Sequence, residues 1–162
     1  MHPNFLSVRS SLQGNRVMLA LAQYINKGEE VMVDNSKRHG VFSLHELLTT
    51  DLTSAKEFYG ELLGWTFTET KNINGNPYIV IHNEGEFIGG MMLKAEFVPD
   101  DVPPFWDPYI AVDDVEASAK RVEELGGKVV LPPTDIPKLG RFCVINDPQG
   151  ASLNLITYED NS

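Results

Sequence analysis

From Val41 onward, apolar positions fall into short strand-like runs interrupted by two stretches of helical spacing. The runs predict strands at residues 41–49, 65–72, 77–83 and 86–94, and again at 107–113, 128–132, 141–146 and 151–158. After the first strand of each set, apolar residues recur every three or four positions. Leu52, Ala55, Tyr59 and Leu62 predict one amphipathic helix, and Val115, Ala119, Val122 and Leu125 predict the other. Asp51 and Asp114 stand at the helix starts, where a carboxylate accepts bonds from the free amides of the first turn. Gly64 and Gly126 end the helices. Asn74-Gly75 and Glu84-Gly85 mark hairpins, and Asp147-Pro148-Gln149-Gly150 carries the residues that a type I turn favours.

The order strand, Asp, helix, Gly, three strands therefore occurs twice. Setting Asp51 on Asp114, an offset of 63, brings Leu52 onto Val115, Glu61 onto Glu124, Leu62 onto Leu125 and Gly64 onto Gly127. This predicts two βαβββ modules, residues 41–97 and 106–162, joined by a Pro-rich linker at 98–105. A second Pro-containing loop is expected at 132–137. A helix covers one face of each module's sheet and the other face needs a partner, so two sheets curl around a shared cleft. The expected fold class is α+β, a curled mixed sheet built from two tandem modules that together make one domain.

Residues 1–40 stand apart as an N-terminal extension. Val17, Leu21, Tyr24 and Ile25 share one helical face, and Gly28 is placed to end such a helix. Val17–Leu21 is too short for the apolar core of a secretory signal. Lys27-Gly28-Glu29-Glu30 can only be encoded by a purine-rich string resembling a bacterial ribosome-binding site, just upstream of Met32. On that reading residues 1–31 are a translated leader and the protein starts at Met32.

Composition narrows the function classes. The formal charge is −10 and no Lys/Arg cluster appears, so nucleic acid is not an expected partner. No stretch reaches the apolar length of a membrane helix, so no membrane partner is expected. The single cysteine, Cys143, cannot form an internal disulfide, and it lies in the apolar run 142–145. These features suit a cytoplasmic protein. The acidity would favour a cationic ligand.

The stretch from Asp51 to Trp65, the Asp113-Asp114-Val115-Glu116 helix start, Leu125-Gly126-Gly127, Gly140-Arg141-Phe142 and Asp147-Pro148-Gln149-Gly150 resemble the vicinal oxygen chelate superfamily. That superfamily contains glyoxalases, bleomycin resistance proteins and extradiol dioxygenases. The likeness spans residues 41–158 and is greatest to small bacterial glyoxalase-like proteins. It marks the fold and not one reaction.

The resemblance implies a ligand set. Metal-using members place His, Gln or Glu on the first and last strands of each module, around a divalent ion with open positions for substrate oxygens. The first-strand positions correspond to Leu44 and Asp107, and the last-strand positions to Gly89 or Gly90 and to Asn154. Two of these four cannot coordinate through a side chain. No metal is expected at the usual positions, and Asn154 stands where a metal-binding glutamate would.

Strand parity puts Glu46 on the same face as Leu44, and His45 on the helix side. The ligand-binding candidates are Leu44, Glu46, Met92, Asp107, Tyr109, Arg141 and Asn154, with Arg141 and also Trp106 near the rim. Glu46 and Asp107 would bind a cation, or one would be held protonated for acid–base chemistry. Pro108 removes a strand amide beside Asp107. Three readings follow: a metal-free small-molecule binding protein, a metal-dependent lyase, isomerase or dioxygenase, and a subunit whose cleft serves assembly. The resemblance also implies a twofold homodimer.

Overall fold

The computed structural model describes residues 37–71, 75–94, 98, 101–136 and 139–159. The expectations for residues 1–31, the start at Met32 and the Asn74 half of the first hairpin turn lie outside the described residues.

Eight strands form one sheet. The first module comprises β1 (Phe42–Thr49), α1 (Leu52–Leu63), β2 (Thr66–Lys71), β3 (Pro77–Asn83) and β4 (Glu86–Leu93). The second comprises β5 (Phe105–Ala111), α2 (Val115–Glu124), β6 (Lys128–Ile136), β7 (Gly140–Asn146) and β8 (Ser152–Tyr158). The strand order is β2-β3-β4-β1-β5-β8-β7-β6. Each module is thus a mirror of the other in order, and β1 meets β5 antiparallel at the centre. The first strand of each module pairs parallel with the last strand of the same module.

The helices form where their caps and apolar spacing direct. Asp51 accepts from the amides of Thr53 and Ser54, and Asp114 accepts from that of Ala117. Gly64 closes α1 in the left-handed region at φ 71°, which a side chain rarely adopts. The inner stripes are shorter than the spacing predicts. Ala55, Val115 and Ala119 are buried, but Leu62 and Leu125, equivalent residues at the two helix ends, are each 62% exposed. They lie in the last turn of α1 and just past α2.

Three buried clusters build the core. Two lie between a helix and the sheet: one around Ala55, Leu47 and Ile81, the other around Val115, Ala119 and Cys143. The third contains no helix residue. It joins Leu44, Leu48, Tyr78, Val80 and Met92 of the first module to Tyr109, Phe142, Val144 and Ile156 of the second, with Val98 and Val102 between them. The sheet curls so that the two bare faces pack on each other.

Two expectations shift. β6 does not end at residue 132 but runs through Pro132-Pro133 to Ile136, with register irregularities at Val129/Leu131 and Leu131/Thr134. It is an edge strand, where proline and bulges are tolerated. β5 begins at Phe105, so Pro108 is mid-strand. The β5–β8 ladder starts at Tyr109, so Pro108 precedes the stretch paired on that side.

Candidate functional site

Six of the seven candidate residues share the face turned away from the helices. In the β1–β5 ladder Leu44 pairs with Tyr109 and Glu46 with Asp107. On the outer sides Glu46 pairs with Gly90, and Tyr109 with Asn154. The offset of 63 carries residue 46 to 109 and residue 44 to 107, so these pairs are equivalents about a pseudo-twofold axis. It carries 45 to 108, which places the His45–Pro108 pair on the axis. Gly90, not Gly89, is therefore the counterpart of Asn154.

Glu46 is the centre of this arrangement. It is completely buried. Tyr78 donates its hydroxyl to Oε1 at 2.7 Å, and Tyr109 donates to Oε2 at 3.2 Å. Burial is the largest influence on its carboxyl and raises its pKa to about 7. The Tyr78 bond pulls the other way, Asp107 across the ladder adds to the rise, and Tyr109 opposes it. Burial and the same carboxylate hold the Tyr78 hydroxyl well above its ordinary value, so it stays a donor. Glu46 is thus a buried carboxyl whose protonated form is favoured by its surroundings up to about neutrality.

The tandem glycines of β4 make room for this. A Cβ on Gly89 would run into the His45 carbonyl, so Gly89 lets β4 approach β1. A Cβ on Gly90 would run into the Tyr78 hydroxyl, so Gly90 leaves the space through which Tyr78 reaches Glu46. Sequence reasoning missed Tyr78. The signal was there: a large polar-tipped residue in the apolar strand 77–83, beside a strand with two adjacent glycines.

Asn154 is buried, and its Nδ2 donates to the Pro108 carbonyl at 3.2 Å. It fastens β8 to β5 beside Asp107. Met92 lines the same buried cluster. Tyr158 donates to the Ser43 hydroxyl at 2.8 Å, and Ser43 donates to the Tyr109 carbonyl at 3.3 Å. Neither Ser43 nor Tyr158 was singled out by the sequence.

Arg141 does not join the other six: it was expected near the rim of the cleft, and it lies on the helix side instead. Along β7, Phe142 and Val144 enter the shared cluster, while Arg141 and Cys143 point to the helix side. Arg141 pairs there with Glu116 of α2 and with Asp135. Trp106, expected near the rim, is also on the helix side, where its Nε1 donates to the Tyr59 hydroxyl at 3.0 Å. Burial pushes the Cys143 thiol up to about 12, so it is an inert thiol of the α2 cluster.

The four positions that correspond to metal ligands do not fit a metal. Leu44 and Gly90 supply no side-chain donor, and Tyr78 fills the space beside Gly90. Asn154 directs its amide to a carbonyl. Among the described residues, no three His, Cys, Asp or Glu side chains stand together as a metal site.

The family model of the Glyoxalase/Bleomycin resistance protein/Dioxygenase superfamily matches residues 41–155. The chain belongs to this superfamily. It is a glyoxalase-like vicinal oxygen chelate domain, and the eight-stranded curled sheet is the fold of that group. It is 37% identical over 119 residues to the protein named "Putative glyoxylase CFP32" of Mycobacterium tuberculosis, covering 73% of this chain and 46% of that one. It is 30% identical over 118 residues to the anthracycline biosynthesis protein DnrV of Streptomyces peucetius, covering 66% of this chain and 43% of that one. The chain spans about half the length of these curated relatives. Among solved structures it is similar in fold to methylmalonyl-CoA epimerase from Mycobacterium tuberculosis, with a TM-score of 0.52 at 19% identity, over 71% of this chain and 87% of that one. It is also similar to the protein BH1468 of Bacillus halodurans, with a TM-score of 0.58 at 11% identity, over 75% of this chain and 96% of that one. At these identities the likeness to the solved structures is one of fold.

Proposed function

We propose that this vicinal oxygen chelate domain binds a small molecule between its modules without the metal used elsewhere in the superfamily. The carrying observation is the buried pair of carboxylates, Glu46 and Asp107, at the centre of an otherwise apolar cluster. Buried acids cost stability unless they are well partnered, and perturbed acids in such places mark functional sites. Leu44, Met92, Tyr109 and Asn154 complete the lining. The favoured ligand is one that presents a positive charge or a hydrogen-bond donor to Glu46 and Asp107.

The close packing of all six residues favours a second reading, in which this region serves mainly to hold the modules and subunits together. A metal-dependent reaction of the glyoxalase type is the remaining alternative. The proposal includes a twofold homodimer, since the matched stretch covers under half of each curated relative and so leaves room there for a second stretch of similar length. It also includes residence in the bacterial cytoplasm, which rests on the single cysteine, and no binding of nucleic acid, which rests on the acidity.

The deciding experiment combines elemental analysis with ligand screening. Protein purified without a histidine tag is dialysed against zinc, nickel, manganese and iron(II), then screened by thermal shift against small cationic and neutral molecules. Less than one metal equivalent per chain, with stabilisation that disappears in Glu46→Gln, is the expected result. One tightly held equivalent lost in Glu46→Ala or Asp107→Ala would replace the proposal by the metal-dependent reading. No ligand and no metal, with a dimer weakened in those variants, would favour the assembly reading.

A further inference from the structure

A cavity of about 480 Å³ opens on the helix side of the β1–β5 junction, across the sheet from Glu46. Its size falls within the range of small-molecule sites. Ile81 and Ile88 contribute apolar floor, and Phe42, His45, Trp65 and Trp106 contribute rings. We propose that this cavity is a second binding site, taking an uncharged planar aromatic molecule that carries one hydrogen-bonding group.

The rings are set before any ligand arrives. Tyr59 stacks on Trp65 at 5.5 Å between centroids, and Trp65 meets Trp106 edge-on at 6.0 Å. The Trp106 indole is further held by its bond to the Tyr59 hydroxyl. Phe42 stacks on His45 at 5.8 Å. Rings fixed in this way bind a flat guest at little ordering cost. Among the described residues, no Asp, Glu, Lys or Arg lines the cavity. Partial burial lowers the His45 pKa and so favours the neutral imidazole, which can donate from one nitrogen and accept at the other. An anionic guest would meet a chain of formal charge −10 and, among the described lining residues, no Lys or Arg.

The duplicated module supplies an internal comparison. The offset of 63 places Lys128 opposite Trp65 and Pro108 opposite His45. Two of the ring positions, Trp65 and His45, are thus not repeated as rings in the second module, whereas Phe42 has Phe105 as its equivalent and Trp106 comes from the second module itself. The cavity is also a poor seat for a second copy. A twofold contact over it would set recess against recess and leave a larger void.

The test uses 2-naphthol and its saturated counterpart decahydro-2-naphthol. Trp65 and Trp106 are the two tryptophans of the chain, so their indole N–H signals in a ¹H–¹⁵N spectrum report on the cavity. The expected result is one calorimetric equivalent of 2-naphthol, movement of both indole signals, and affinity about tenfold or more weaker for the saturated compound. Trp106→Ala and Phe42→Glu should each weaken 2-naphthol by about tenfold or more. Phe42 is 57% exposed, so its variant leaves the core intact if Trp106→Ala proves unstable. Absence of saturable binding would overturn the proposal, as would affinity that survives both variants. Binding lost in Glu46→Gln with the indole signals unmoved would place the probe between the modules and overturn it too. A dimer that dissociates in both variants, with 2-naphthol affinity unchanged, would make the surface a subunit contact instead.

Discussion

Glu46 and Asp107 face each other across the β1–β5 ladder, one residue from the pseudo-twofold axis, and burial holds the Glu46 carboxyl near pH 7. The folded chain therefore binds a proton at Glu46 that the unfolded chain has already released between its ordinary value of 4.5 and about 7. A raised acid destabilises the fold as pH rises through that window, by up to about 3 kcal/mol here. Below the ordinary value the effect is absent, and above about 7 it is constant. Urea unfolding at several pH values between 4.5 and 8 should show this loss in the native chain and a flatter profile in Glu46→Gln. Equal slopes in the two would refute the assignment.

Gly90→Ala should destabilise the fold by about 1–3 kcal/mol, because the new methyl group collides with the Tyr78 hydroxyl and pushes it off Glu46. Gly60→Ala is the contrasting change. Its Cβ would meet Phe67 at an ordinary 3.4 Å inside α1, so it should be neutral or stabilising by about 0.5–1 kcal/mol. Thermal melts of both proteins check the pair.

Asn154→Asp should cost more than its size suggests. The amide now donates to the Pro108 carbonyl, and a buried carboxylate there would turn an oxygen toward that carbonyl instead of a donor. A loss of about 2–4 kcal/mol near neutral pH, partly recovered on acidification, is expected from burying an unpaired charge. Chemical denaturation at pH 5 and pH 8 measures both parts.

Arg141→Ala should leave binding between the modules unchanged and lower the melting temperature only slightly. Its partners Glu116 and Asp135 are exposed, and solvent-facing ion pairs contribute little. A ligand affinity that falls with this variant would return Arg141 to the site.

The duplicated architecture was legible in the sequence because a period-two strand pattern and a capped helix repeated at a fixed offset. Parity placed Leu44 and Glu46 together and His45 opposite, and the β1–β5 register agrees with that. Arg141 was misplaced because its neighbourhood motif marks a turn and a strand start, while its side is set by the parity of Phe142, which alternation along 141–146 could have shown. The extent of β6 was hidden because paired prolines read as a loop, and only its edge position makes them tolerable in a strand. Tyr78 escaped, and Trp106 was placed near the rim rather than on the helix side, because their roles depend on what lies across the sheet and no local pattern encodes that.

The pseudo-twofold has one more consequence. Three of its off-axis pairs, Leu44 with Asp107, Glu46 with Tyr109, and Gly90 with Asn154, hold unlike chemistry. A symmetric backbone thus carries a lopsided lining, with both carboxylates displaced to the same rung of the ladder. A molecule held between the modules meets different partners at its two ends. The lining can therefore tell head from tail and, where the guest is chiral, one hand from the other.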